Sequence, residues 1–446
     1  MRSKMKNVFT AVVLIFGAAV FAQSQSDNAN FVQQLSDALE KGSLNDALSL
    51  FDSLPPEKAE SADLLSLKAS LLVSAGRGAE AEKLAADLLS RDPKNIDILT
   101  LNFTIAKERG NSAKKSQFIK QILAIEPNNA AANIELASEQ ELKHSYRNAR
   151  DYYRKAVMSE PENEEALFGY GKMSYYMEKD DEAKNIFNRL LKMNPANPQP
   201  LAYLGKMAAE SHQYKTAIEY VSKAIESDPD NADHYFDLGN YSRYIGKYDD
   251  AEKYWKIAVE KDPDYFLGYA YLAGLYDEQN NREEAYNYYK KVIEKNPKYY
   301  YAYESLGMLA WDKQNWEESR SYFMKAREAM PDNVSYALMV IAGFEKDKKF
   351  QDAKKYAATV MKNMDRTSLD YLFVRMFSEL GGDSSVTMKV NEEKSRNKKG
   401  KYTFYLGLYW EIKGNDSLAM KYYSTVAEMQ GAMFFESRLA QWKTLR

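Results

Sequence analysis

The chain has 446 residues, 61 Lys+Arg against 64 Asp+Glu, 13% aromatic residues and no cysteine. The absent thiols exclude disulfide scaffolds, thiol nucleophiles and Cys-ligated metal sites, and three histidines leave little for a His-based metal or triad enzyme. The near balance of charge offers no electrostatic case for a nucleic-acid partner.

Residues 1–22 read as an export signal. Arg2, Lys4 and Lys6 precede an uncharged, mostly apolar run from Val8 to Val20, which closes on the small-residue pattern Val20-Phe21-Ala22. The run is too short to anchor in a bilayer, and no second long apolar segment follows. The expectation is cleavage after Ala22 and a mature chain in the periplasm, secreted or at the cell surface, with no transmembrane anchor.

Pro93, Pro127, Pro161, Pro195, Pro229, Pro263, Pro297 and Pro331 stand 34 residues apart and are eight of the twelve prolines. A fixed period of this length signifies stacked repeats. Proline cannot continue a helix, and Asn95, Asn129, Asn163, Asn197, Asn231 and Asn333, two residues later, suit a helix N-cap. Number each frame so that Ala130, Glu164, Pro198, Ala232, Phe266 and Tyr300 are position 1. Positions 4, 7, 8 and 11 are then mostly apolar, aromatic or Gly, which is one helix face. Position 15 is Gly42, Gly76, Gly110, Gly246 and Gly414, suited to a left-handed turn, with His144 and His212 at the same turn. Position 20 is Ala in most frames, followed four later by a large residue such as Phe187, Trp255 or Phe323; Lys115 and Ser319 are departures. Each frame thus predicts helix, tight turn, helix.

These residues resemble the tetratricopeptide repeat family, most closely over 232–265 with Tyr235, Leu238, Gly239, Ala251, Trp255, Ala258 and Pro263. The resemblance covers nearly the whole chain after the signal. It implies an all-α fold, an α-solenoid (right-handed superhelix) of about twelve 34-residue helix-turn-helix units. Ten repeats occupy 28–367, a degenerate unit without its proline occupies 368–399 and forms a kink or looser joint, and a further repeat occupies 400–433. Residues 434–446, with Phe434, Phe435, Leu439 and Trp442, form a C-terminal capping helix.

Catalytic motifs are not found. Gly169-Tyr170-Gly171-Lys172 fails as a phosphate loop, because Ala166 stands where the first Gly is needed and Met173 follows the Lys. His234, at position 3, reads as facing solvent. Acidic pairs such as Asp180-Asp181 and Asp249-Asp250 open second helices, where they favour the helix dipole. The basic run Lys394 to Lys401 reads as a solvated loop. No enzyme activity, cofactor or metal is expected.

The family resemblance implies that the first helix of each unit lines a concave groove, with positions 2, 5, 9, 12 and 13 facing it. Those positions supply Phe168, Lys172, Tyr175 and Tyr176; Lys206; Phe236, Asn240, Arg243 and Tyr244; and Tyr301, Met308 and Trp311. Flat rings beside Lys, Asn and Arg would bury the side chains of an extended peptide and donate to its carbonyls and carboxylates. Any one of these aromatics could instead pack on the neighbouring repeat, so the cluster is the signal. The family's clamp for C-terminal carboxylates, a Lys at position 5 with an Asn at position 9, is missing, because position 5 is never basic. The expected function is a non-enzymatic scaffold in a Gram-negative envelope. Its partners would be envelope proteins or peptides such as periplasmic chaperones, proteases or secretion components. The alternative is a permanent structural subunit of an envelope secretion or quality-control complex, held by its convex face and end repeats.

Overall fold

The computed structural model describes residues 27–445, which are helices and turns with no strand among them. The expected export signal lies outside the described residues. Two compact units divide between Met207 and Ala208.

The first unit begins with α1 (Asp27–Glu40), α2 (Leu44–Ser49) and α3 (Pro56–Ala59). It continues as paired helices: α4 (Ala62–Ser74) with α5 (Gly78–Arg91), α6 (Ile96–Glu108) with α7 (Ser112–Ile125), α8 (Ala130–Leu142) with α9 (Tyr146–Ser159), and α10 (Glu164–Tyr176) with α11 (Asp180–Met193). Helix α12 (Pro198–Glu210) carries the chain across the division. The opening frame departs from the expected pair. Its second helix stops at Ser49 and tightens into a 3-10 turn over Leu50–Ser53, ahead of Pro55 and Pro56, which lack the backbone donors a longer helix would use.

The second unit pairs α14 (Ala232–Tyr244) with α15 (Tyr248–Lys261), α16 (Phe266–Glu278) with α17 (Arg282–Lys295), and α18 (Tyr300–Asp312) with α19 (Trp316–Ala329), after α13 (Tyr214–Ser227). It ends with α20 (Val334–Lys346), α21 (Phe350–Met361), α22 (Leu369–Glu379), α23 (Asp383–Glu392), α24 (Arg396–Ile412), α25 (Asp416–Ala427) and α26 (Glu436–Thr444).

The local chemistry follows the frame. Asn95, Asn129 and Asn163 accept backbone N–H groups three residues on at 3.1, 3.2 and 2.9 Å, and Asn197, Asn231 and Asn333 accept from two residues on at 3.1, 3.1 and 3.2 Å. Each satisfies a donor that the helix itself leaves open. At position 15 the backbone is left-handed whether or not the residue is Gly: φ is 67° at Gly110 and 78° at Gly246, but also 54° at His144, 56° at Glu178 and 59° at His212. Within a pair, position 8 must be small because position 24 fills the space. A Cβ on Gly239 would stand 2.4 Å from the Trp255 ring, which is wholly buried.

Three expectations change. His234 is buried at 5% exposure, with Nε2 3.6 Å from the Asp228 carboxylate; position 3 is buried in every frame from Ile98 to Tyr336, because that side of the first helix packs inward. Residues 396–401 of the basic run are helical, since Ser395 accepts from the Lys398 N–H at 3.5 Å and starts α24 four residues ahead of the expected frame. The degenerate unit is packed rather than loose: Phe373, Val374 and Phe377 of α22 are fully buried, and α22 lies against α20. Crowding from α19, α21, α22 and α24 leaves eleven residues of α20 buried, apolar on nearly all sides as an enclosed helix must be.

Candidate partner-binding surface

In the first unit, four of the expected groove residues gather around a fifth that was not expected. The Tyr203 ring lies 5.6 Å from Phe168 and 5.4 Å from Tyr175, both edge-on, and 5.4 Å from Phe187. Its hydroxyl is 3.4 Å from that of Tyr176, and the Lys206 ammonium stands 5.6 Å from its ring centre. Edge-on pairs of this kind add about 0.5–1.5 kcal/mol beyond burial, so the cluster holds its shape without a ligand. Burial, then the Tyr176 hydroxyl, push the Tyr203 phenol above its ordinary value, which keeps it a protonated donor. Lys172 reaches across to α8 and pairs with Glu141, which also accepts from Tyr153 at 3.3 Å. Tyr176 remains 44% exposed.

Behind this surface, Arg150 of α9 pairs with Glu182 of α11 at 2.7 Å, while Tyr170 and Ser174 donate to the same carboxylate at 2.6 and 2.9 Å. Burial alone would raise that carboxyl; the bonds from Arg150, Tyr170 and Ser174 outweigh it and hold Glu182 at about 2. The network ties adjacent repeats and fixes α10 under the aromatic cluster.

In the second unit the expected residues separate. Tyr244 is open at 69% exposure and stacks on Tyr214 at 4.7 Å; Tyr301 is 56% exposed beside Tyr299 at 5.7 Å. Asn240 accepts from the Trp255 indole at 3.2 Å, and Arg243 is ion-paired with Glu278. Phe236 is buried beneath Tyr265 and Tyr271, and Met308 and Trp311 are buried at 1% and 3% exposure in a core shared with Phe435, Leu439 and Trp442. These three residues pack rather than present a face, because other side chains cover the positions they occupy.

Residues 220–253, and residues 175–232 and 272–334, match models of the tetratricopeptide repeat. These stretches are tetratricopeptide repeats. Solved structures similar to it include YrrB, described as a TPR protein with an unusual peptide-binding site, at 23% identity over 41% of this chain and 95% of that one, with a TM-score of 0.33. PilF of Pseudomonas aeruginosa is 17% identical over 45% and 92% of the two chains, at a TM-score of 0.40. A tetratricopeptide repeat protein from Parabacteroides merdae is 18% identical over 54% and 95%, at a TM-score of 0.37. No curated protein matches the sequence.

Two features of this tetratricopeptide repeat surface escaped the sequence reading. Tyr203 sits at position 6, one residue outside the expected stripe, and Glu141 is an acid at position 12 where only aromatic and basic groups were sought. A second period could have found Tyr203. Phe168, Phe187 and Tyr203 recur 68 residues later as Phe236, Trp255 and Tyr271, where Tyr271 lies 4.9 Å from Phe236 and 5.2 Å from Trp255. His144, Tyr146 and Tyr176 likewise recur as His212, Tyr214 and Tyr244, with His Nδ1 to Tyr hydroxyl distances of 3.2 and 3.0 Å and Tyr–Tyr stacks at 5.1 and 4.7 Å. Two copies of one aromatic arrangement are therefore built on alternate repeats. Among the described residues, no group of three His, Asp or Glu is placed to hold a metal ion, and no helix is long and apolar enough to cross a membrane.

Proposed function

We propose that the chain is a non-enzymatic scaffold, exported to the periplasm, whose first-helix faces hold partner proteins or their extended segments. The observation that carries this reading is the cluster about Tyr203. Preformed rings at Phe168, Tyr175 and Tyr176, with Lys172 and Lys206 at their margin, supply apolar area and cationic donors on rigid helices. A peptide laid on such a surface loses its own freedom while the protein has little left to order. Repeat arrays generally use such extended surfaces for protein partners.

The test is capture from an envelope extract with residues 23–446 as bait beside the Tyr175→Ala/Tyr176→Ala/Lys206→Ala variant, both checked for equal helicity by circular dichroism. Loss of specific partners with the variant alone supports the reading; identical partners on both baits move the function away from this face. Intact mass of the protein recovered from the periplasmic fraction should give a chain beginning at Gln23, and a retained Met1 would remove the export proposal.

A further inference from the structure

Within the second unit, α26 lies against α18 and meets one position that the repeat frame assigns to the groove, Asp277, together with residues of other faces. Phe435, Arg438, Leu439 and Trp442 follow the i, i+3, i+4, i+7 spacing of one helix face. The Phe435 ring stacks 5.6 Å from Phe323 and 5.9 Å from Tyr336. Arg438 pairs with Asp277, at position 12 of its repeat. Trp442 receives the Arg282 guanidinium 4.5 Å from its ring centre, and Arg282 itself is held by Asp312 at 2.6 Å. Helix α26 also packs on α18, which carries Met308 and Trp311.

A simple end cap would cover only the last repeat. Helix α26 does pack on α25, yet its side chains reach back to α16, α17 and α19, well before the end of the array. It therefore makes the contacts that a bound helix would make. The chemistry of the surface is visible from what fills it: apolar ground at Met308 and Trp311, an aromatic shelf at Phe323 and Tyr336, and the acids Asp277 and Glu304. The Asp277 carboxylate is only 8% exposed and needs a cation beside it.

We propose that this face of the second unit is a helix-binding surface occupied by the chain's own C-terminal helix. It takes in exchange a partner's amphipathic helix bearing an aromatic residue, a basic residue three positions on and a second aromatic four further on. The proposal rests on first-helix faces being partner surfaces, but it concerns a different face from the open cluster about Tyr203. Docking of α26 lowers the apparent affinity for the partner by the fraction of chains in which the face is free.

The probe is a labelled synthetic peptide of residues 432–446, added to the full mature chain and to its Arg438→Ala/Trp442→Ala variant, in which the internal helix is weakened. The expected result is binding to the variant at least about tenfold tighter than to the unaltered chain. Adding Asp277→Arg should abolish that binding, and a peptide carrying Arg438→Glu should restore it. Equal affinity for both chains, or binding to neither, overturns the proposal. Hydrogen exchange on the unaltered chain gives a readout independent of any variant's folding: amides of 436–444 should exchange well ahead of those in α24, whereas protection equal to that around Tyr405 and Tyr409 makes α26 a permanent part of the core and overturns it. Neither readout uses an envelope partner, so their outcome is separate from that of the capture experiment.

Discussion

Arg438, on the last helix, is ion-paired with Asp277, which precedes it by 161 positions. The two partners are unequal: the Arg438 side chain is 38% exposed and the Asp277 side chain 8%. Removing the arginine leaves a buried carboxylate without its cation, whereas removing the aspartate leaves an arginine free to turn to water. Arg438→Met should therefore cost about 2 kcal/mol in the local stability of α26, and Asp277→Asn markedly less. Hydrogen exchange over 436–444 in both single variants and the double variant would measure this. Equal costs would show that the pair is effectively solvated.

Trp255 allows no side chain at Gly239. Its ring is fully buried and stands 2.4 Å from where a Cβ would be, so either the ring or the helix must move. Gly239→Ala should destabilise the second unit by about 1–3 kcal/mol. Thermal unfolding followed by circular dichroism checks this, and an unchanged midpoint would mean that Trp255 has room to retreat.

The turn at position 15 offers a paired prediction of opposite sign. Glu178 holds φ at 56°, where a Cβ is unfavourable, while Gly110 holds 67° with nothing near its absent Cβ. Glu178→Gly should relieve about 1–2 kcal/mol of backbone strain, offset in part by a freer unfolded chain, for a net gain of about 0.5–1 kcal/mol. Gly110→Ala should lose a similar amount. Denaturant unfolding of both variants decides it; a loss in both would point to contacts of the Glu178 side chain.

Acid should weaken the first unit through Glu182. The folded protein holds this carboxyl at about 2, below its ordinary 4.5, so the ionised form is the one that folding favours. Its contribution is fully present above about pH 4.5 and is lost as pH falls from there through about 2. Glu182→Gln should be less stable than the unaltered chain at pH 7 and converge with it near pH 2. A gap that persists at pH 2 would assign the effect to hydrogen-bond geometry instead of charge.

Much of the fold is legible because its causes are local. Proline ends a helix wherever it falls, Asn three residues before a backbone N–H caps the next, and position 15 turns left-handed even where Glu178 or His212 must bear the strain. Pro55 and Pro56 break the opening frame for the same local reason. Part of the aromatic cluster is legible too: Phe168, Tyr175, Tyr176 and Lys206 gather about one ring, although that ring, Tyr203, stood one position off the expected stripe and Lys172 pairs with Glu141 instead.

The helical period assigns a residue to a side of its own helix, and for this chain it assigns Lys172 and Met308 to the same position 9, Tyr175 and Trp311 to the same position 12. Which of them meets solvent depends on what lies across that side. Lys172 and Tyr175 remain at a half-open face, whereas Met308 and Trp311 are sealed in a core with Phe435, Leu439 and Trp442. Local sequence determined the repeats, their turns and the faces of their helices, because those follow from backbone sterics and a period of 3.6. The tertiary structure decided which face is free, because burial is set by segments more than a hundred residues away that no local pattern encodes.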